Sequence, residues 1–420
     1  MSKQVKHVEN EQFEGIFAHI SLSDIRDNFF NLTRSLLLEI MVNVMAEEVA
    51  LLCGEKYHPD NSEYARAGSA KGHVFINGER ENLVRPRVRN KSASGKSNEH
   101  NLTSYTAAQD PHELHQQMIT ALCAGVSSRE QKKLHRKTTS GVSKSEVSRL
   151  WKKEGKKKIA ELRERDISSQ DWLGLMLDGI GLSNNLLAIV ALGINTKGEK
   201  IILDFEIGSS ESAEVCKSLL RRLKTRGFKP IDGHKLLVLL DGSKALSNAA
   251  KVCFDNVVIQ RCLVHKERNL KSYISRKHYG ELSQHFNRLR KVEGEEAARE
   301  ILNELEGFVG GINQSALESL KEAGDDLITI HKLHVPATLN KSLLSTNAIE
   351  NSFRNTRLKT RRVCRWRGET EQPARWLAYA LLEAESGFNR IRGYRDIDKL
   401  KNALCIKVKE DSGGHLKEAS

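Results

Sequence analysis

The chain lacks an apolar run of membrane-spanning length: its longest lies around Leu186–Ile194, well short of the roughly 20 residues a spanning helix needs. Its opening, Met1-Ser2-Lys3-Gln4-Val5-Lys6-His7, has no apolar segment of the signal-peptide kind, so the expectation is a cytoplasmic protein with no membrane partner. The 7 cysteines are scattered, odd in number and free of any CxxC pair. That argues against a disulfide framework and for a reducing compartment. Acidic charge is outnumbered, with 54 Asp+Glu against 67 Lys+Arg and a net charge of +13. The excess favours a polyanionic partner, and with no membrane signal the better choice is nucleic acid. At 420 residues there is room for roughly two to four domains with their own cores.

Two short stretches organise the rest. Leu173-Gly174-Leu175-Met176-Leu177-Asp178-Gly179 and Leu236-Leu237-Val238-Leu239-Leu240-Asp241-Gly242 are each an apolar run of strand length that stops at a carboxylate and a glycine. An Asp-Gly turn after a strand is common by itself. Two of them on neighbouring strands would converge at one sheet edge, where their repulsion is relieved by a hard divalent cation such as Mg²⁺.

In chain order, residues 1–60 read as an N-terminal helical region, with Leu32, Leu36, Leu37, Ile40, Met41, Val44 and Met45 on one helical face for packing or dimerisation. Residues 61–105 form a basic ribbon or loop segment, where Gly72–Arg80 reads as a strand entering an Asn-Gly turn and Arg85-Pro86-Arg87-Val88-Arg89 is extended. Residues 106–165 carry two Ser-x-x-Glu capping boxes, at Ser127 and Ser143, each opening a short helix. The second, expected over Lys144–Glu154, turns Val147 and Leu150 inward and Lys144, Ser145, Ser148, Arg149, Lys152 and Lys153 outward. A helix-turn-helix-like DNA-binding region fits this pattern, and an ordinary helical linker competes with it.

From residue 166 to 265 the pattern alternates as strands Leu173–Asp178, Leu186–Ile194 and Lys200–Ile207, helix Ser212–Arg226 stopped by Gly227, strand Lys235–Leu240, helix Ser243–Val252 and strand Asn256–Gln260. This is the order of an α/β fold, a ribonuclease H-like mixed-sheet core. Residues 266–340 read as an all-helical insertion, with Leu282, Phe286 and Leu289 at helical spacing. The core is completed over 341–395, and 396–420 is expected to be a C-terminal tail. In Ser345-Thr346-Asn347-Ala348-Ile349-Glu350 a further carboxylate lies in the first turn of a helix. Spacing does not distinguish a metal ligand there from a residue that favours a helix N-terminus. Cys262 and His265 have the spacing of half a zinc site, for which His331 and His334 are weak completions. A structural or DNA-proximal role is preferred, and Lys266, Arg268 and Lys271 lie beside the pair as possible phosphate contacts.

The segments LMLDG (175–179), LLDG (239–242), QRCLVHKERNL (260–270), STNAIENSFRNTRLKTR (345–361) and GVSKSEVSRLWK (141–152) together resemble the Mutator-type family of bacterial insertion-sequence transposases. The resemblance spans roughly residues 60–390. It implies a DDE triad on Asp178, Asp241 and Glu350 as catalytic and metal-holding residues, with two Mg²⁺ or Mn²⁺ ions as cofactors. Cys262 and His265 become part of a family signature. DNA-binding residues would be Lys144, Ser145, Ser148, Arg149 and Lys152 on one helix, and Arg354, Arg357, Arg361 and Arg362 just beyond Glu350. The implied activity is cleavage of the ends of an insertion sequence and strand transfer to target DNA. Partners are then double-stranded DNA, as terminal inverted repeats and target, and a second subunit in a homodimer or larger assembly. The setting is the bacterial cytoplasm, at the nucleoid. Two other readings compete: a two-metal nuclease that does not join, and a transposase-derived DNA-binding protein without catalysis.

Overall fold

A computed structural model describes residues 22–58, 63–92, 98–134 and 142–406. The chain divides into two compact units, Met1–Leu150 and Trp151–Ser420.

The first unit runs α1 (Leu22–Cys53), β1 (Tyr64–Ile76), β2 (Glu79–Asn90), β3 (Glu99–His100), α2 (Thr103–Ala108), α3 (His112–Cys123) and α4 (Gln131–Leu134). The expected Asn-Gly turn joins β1 to β2: Asn77 and Gly78 both have positive φ, at 50° and 78°, which suits a two-residue hairpin. Met45, Val49 and Cys53 of α1 are buried with Val74, Ile76, Val88, Leu102 and Tyr105. Glu48 on the same helix accepts from the backbone N–H groups of Thr103 (2.7 Å) and Ser104 (2.9 Å), supplying the side-chain cap that Leu102 cannot. The seven apolar residues expected on one face of α1 separate into two sets. Leu37, Met41 and Met45 turn inward, whereas Leu32, Leu36, Ile40 and Val44 are exposed. Residues 1–21 of the expected N-terminal helical region lie outside the described residues.

Helix α5 (Lys144–Glu164) carries the chain from one unit into the other. It continues ten residues past the expected end at Glu154 because Gly155 does not break it. A Cβ at Gly155 would stand 2.7 Å from the Arg375 side chain, so glycine is what this close packing permits.

The second unit is mixed α/β. Strands β4 (Trp172–Ser183), β5 (Leu186–Asn195), β6 (Lys200–Gly208), β7 (Leu236–Leu240) and β8 (Val257–Arg261) form one sheet in the order β6-β5-β4-β7-β8. The first three pair antiparallel, and β4–β7 and β7–β8 pair parallel. Helices α6 (Ala213–Thr225) and α7 (Lys244–Cys253) cover the face built by Leu175, Leu177, Ile189, Val238 and Leu240. Ser212 and Ser243 cap them, accepting from Val215 N–H and Leu246 N–H, and Gly227 ends the first with φ 87°.

The opposite face, with Met176, Ile180, Val190 and Leu239, belongs to a core that takes in the helical segment after β8. That segment comprises α8 (Leu263–Lys271), α9 (Tyr279–Lys291), α10 (Glu295–Gly310), α11 (Gln314–Ala323), α12 (Thr329–Lys332) and α13 (Ala337–Leu343). Leu282, Phe286 and Leu289 are fully buried in it, as their spacing predicts. Helices α14 (Asn347–Thr360) and α15 (Gln372–Ser386) follow. The expected C-terminal tail begins instead with α16 (Ile397–Leu404), whose Ile397, Leu400 and Leu404 are buried. Three apolar residues at helical spacing are enough to dock that turn against the core; residues 407–420 lie outside the described residues.

Candidate active site

The parallel pairing of β4 with β7 ends at Leu177↔Leu240, and that of β7 with β8 at Leu240↔Arg261. The next residue on each of the three strands is Asp178, Asp241 and Cys262. Three chemically active side chains thus leave the sheet along one edge, set there by register. One expectation changes. Asp178 is not past a strand end, because β4 stays paired to β5 through Asp178↔Val190 and Gly179↔Ile189 as far as Ser183↔Leu186. The Asp-Gly there is strand, not turn; hydrophobic runs show where apolar residues stop, not where a neighbouring strand does. Asp241 does lie past its strand, and its Oδ1 accepts from Ser243 N–H at 3.0 Å. Gly242 between them has φ 127°, and a Cβ on it would meet Arg261 Nη2 at 2.2 Å, so the turn requires glycine.

Glu350 comes to this edge from the first turn of α14. Its Oε1 lies 3.3 Å from His265 Nε2 and 3.5 Å from Thr346 Oγ1. His265 Nδ1 is 3.4 Å from the same Thr346 hydroxyl, and Thr346 N–H points at Cys262 Sγ (3.4 Å). Thr346 thereby ties the start of α14 to the segment that opens α8.

The electrostatics are those of acids crowded around one cation. Burial pushes the Asp178 carboxyl up to about 7; the charges of Asp241 and Glu350 push the same way, while His265 and the Gly179 N–H oppose them. His265 is raised to about 9, first by its hydrogen bond with Cys262 and then, against burial, by the charges of Cys262, Asp178 and Glu350. Burial would push the Cys262 thiol up, but hydrogen bonds with His265 and Thr346 outweigh it and hold the thiol below its ordinary value. The structure therefore brings Asp178, Asp241 and Glu350 into one electrostatic neighbourhood, with Cys262 and His265 against it.

A further carboxylate, not marked in the sequence, lies close enough to Asp241 for their charges to interact. Glu211, in the loop after β6, is partly buried and raised by that burial, against a hydrogen bond from the Ser243 side chain and with Asp241 adding to the rise. Nothing in Gly208-Ser209-Ser210-Glu211 marks it. Only the folding of β6 beside the sheet edge brings it there.

Three carboxylates offer hard oxygen donors, and Asp178 is 6 % exposed with one backbone N–H on it; this donor set fits Mg²⁺ or Mn²⁺. A softer set overlaps it. Ligating atoms of Cys262, His265 and Glu350 lie within 4.8 Å of one another, the one such group among the described residues. There His265 and Cys262 are hydrogen-bonded to each other. His331 does not complete a zinc site: its Nε2 is 3.0 Å from the Leu289 carbonyl, and neither it nor His334 joins the group.

The basic residues fall as follows. On α5, Lys144, Ser145, Ser148, Arg149 and Lys152 are exposed, whereas Val147 and Leu150 are buried. Ser143 Oγ accepts from Glu146 N–H at 3.2 Å, the half of the capping box that begins this helix. The box at Ser127 also forms, with Glu130 N–H on Ser127 Oγ at 3.3 Å. Arg354 and Arg357 on α14, and Arg361 and Arg362 just past it, are exposed. Lys266 is not available to phosphate: it is buried and donates to the Ser319 carbonyl at 2.8 Å. Lys271 is held by Glu267 at 2.7 Å.

Comparison with known proteins gives one family of matches. The family model described as Transposase, Mutator family, matches residues 6–388. A transposase for insertion sequence element IS905 of Lactococcus lactis is 28% identical over 213 residues, covering 49% of this chain and 52% of that protein. A transposase for insertion sequence element IS256 in transposon Tn4001 of Staphylococcus aureus is 30% identical over 243 residues, covering 56% and 60%. A transposase for insertion sequence element ISRM5 of Rhizobium meliloti is 27% identical over 233 residues, covering 55% and 56%. The chain spans about half the length of the curated relatives it matches.

Proposed function

Because the chain belongs to the Mutator family of transposases, we propose that it is a DNA transposase that cleaves the ends of an insertion sequence and joins them to target DNA at Asp178, Asp241 and Glu350. The observation that carries this reading is the register of β4 and β7, which sets Asp178 and Asp241 side by side, together with the charge of Glu350 acting on Asp178. The strand order β6-β5-β4-β7-β8, antiparallel then parallel, supports a ribonuclease H-like core with the α8–α13 segment as its insertion.

Asp178, Asp241 and Glu350 are the residues that would hold two Mg²⁺ or Mn²⁺ ions. Bound there, the ions supply the Lewis-acid chemistry that activates a water or a DNA 3′-hydroxyl and neutralises the leaving oxygen at phosphorus. The chain's own residues do the rest. Asp178 gives up its proton near neutral pH to become a full ligand. Gly179 N–H and Ser243 N–H orient the Asp178 and Asp241 carboxylates, leaving their other oxygens free. His265 and Thr346 steady Glu350. Arg354 and Arg357, one and two turns beyond Glu350 on the same helix, present guanidinium groups to the backbone of the strand being cut. Lys144, Ser145, Ser148, Arg149 and Lys152 on α5 bind the terminal repeat as a recognition helix does. Joining two ends calls for at least a homodimer, acting on DNA in the bacterial cytoplasm.

The test is Mg²⁺-dependent cleavage of a duplex carrying the element's end, followed by strand transfer from a pre-cleaved end. Wild type performs both, and Asp178→Ala performs neither while still binding the end. Cleavage by Asp178→Ala refutes the assignment; cleavage without transfer by wild type makes the protein a nuclease.

A further inference from the structure

A cavity of about 470 Å³ opens between α14, the end of α15 and the start of β6, lined among others by Lys200, Asn351, Arg354, Asn355, Glu383 and Phe388. Lys200 is half-buried, and its Nζ stands 5.1 Å from the centre of the Phe388 ring. Burial lowers its pKa below the ordinary lysine value, and no carboxylate acts against that shift. Among the described residues neither Lys200 nor Arg354 forms an ion pair. The acid of the lining, Glu383, is already engaged: it accepts from Lys359 Nζ at 2.6 Å. Other partly buried cations of this unit have carboxylates of their own, Lys271 with Glu267, Arg165 with Glu385, and Arg222 with Asp204 and Glu206. A cation drawn out of water with no counter-charge is held at a cost, which an anion entering the cavity would offset. The helix indicates which anion. Arg354 lies four residues past Glu350 on the same side of α14, and Asn351 directly follows Glu350. That turn advances about 6 Å, close to the rise of two phosphates at about 3.4 Å each along a DNA strand. A strand crossing Glu350 therefore brings a neighbouring phosphate to the cavity, where the Asn351 and Asn355 amides add neutral donors.

We propose that this cavity holds a backbone phosphate of the DNA strand, next to the one being cut, with Lys200 and Arg354 as its charge partners. The proposal rests on the reading of Glu350 as part of the centre that cuts DNA. It adds Lys200, a residue from the start of β6 that no basic run marks in the sequence, and it gives Arg354 a defined partner on the strand.

The test is binding of the full chain, in chelator so that nothing is cut, to a duplex carrying the element's end. Phosphates around the cut site are replaced one at a time by neutral methylphosphonates. Lys200→Met keeps the aliphatic stem against Phe388 and removes the charge. It is expected to weaken binding by about tenfold and to lower the slope of log K against log salt by about one. One methylphosphonate beside the cut site should weaken wild type and leave Lys200→Met unaffected, and Arg354→Gln should be insensitive at that same position. Equal losses at every position in wild type and Lys200→Met overturn the proposal. So does insensitivity of the two variants at different positions, because the two cations would then not share a phosphate. Wild-type binding by both variants, beside an Asp178→Ala protein that no longer cleaves, overturns the phosphate site alone. The expected pattern beside an Asp178→Ala protein that still cleaves supports the phosphate site and overturns the catalytic reading.

Discussion

Asp204 on β6 and Asp178 on β4 are both buried carboxylates in apolar strands of one sheet, and the fold treats them in opposite ways. Asp204, fully buried, accepts from Phe205 N–H at 2.7 Å and from Arg222 Nε at 2.6 Å, with Arg226 at 3.3 Å and Arg163 at 3.8 Å. Asp178 accepts from Gly179 N–H at 2.8 Å and otherwise faces Asp241, Glu350 and the His265 ring. A buried charge surrounded by its counter-ions is part of the scaffold. One faced by like charges is held at a cost that a proton or a bound cation relieves. Burial alone does not distinguish them; the company each carboxylate keeps does.

The largest effect that separates the two comes from removing each. Asp178→Ala should lower DNA cleavage by more than about a thousandfold and leave the melting temperature in chelator unchanged or raised. Asp204→Ala should cost about 3–5 kcal/mol of stability, because Arg226 and Arg163 lose their acidic partner and Arg222 keeps only Glu206, while the folded fraction still cleaves. Denaturant melts and single-turnover cleavage, run on both variants, check this.

The pH dependence sharpens the contrast on the Asp178 side. Its folded-state pKa of about 7 lies above the ordinary 3.8, so protonation stabilises the metal-free fold. That contribution is complete below about pH 3.8 and is lost as pH rises through about 7. Cation binding runs the other way, since the proton must leave first. Mn²⁺ affinity should fall by about tenfold per pH unit below pH 7, measured by calorimetry from pH 5.5 to 8.

His265 offers a smaller shift. Its positive charge holds Asp178 down against burial and the neighbouring acids. His265→Gln should therefore move the midpoint of that Mn²⁺ profile upward, by about one pH unit. An unmoved midpoint would mean that His265 does not act on Asp178.

The smallest effect is expected far from the carboxylates in sequence. Arg149→Ala on α5 should weaken binding of the terminal repeat and lower the slope of log K against log salt by about one. Cleavage of DNA at saturating protein should not change.

Much of this was legible in the sequence, and the reasons vary by element. Strand and helix order from 172 to 261 followed from apolar runs broken by capping serines and by Gly227, signals that are local. Asp178 and Asp241 could be paired because both end matching runs. The extent of β4 could not be read, since it depends on β5 remaining paired after β7 departs. Glu350 carried no local mark distinguishing a ligand from a helix-start acid; family resemblance supplied it, and the Thr346–His265 contacts now show what holds it. Glu211 was invisible because a loop glutamate acquires its meaning from what the fold places opposite it. Lys266 misled for the converse reason: a basic residue in a basic run was drawn inward by the Ser319 carbonyl. The final helix was missed because Ile397, Leu400 and Leu404 form too short a pattern to stand out before a glycine-bearing end.

The most direct test of the central claim is anomalous diffraction from crystals of the full chain soaked in Mn²⁺. The account predicts an anomalous peak coordinated by Asp178 and Asp241 at the edge where β4 and β7 part. A peak at Cys262 and His265 with nothing between the two aspartates would contradict it.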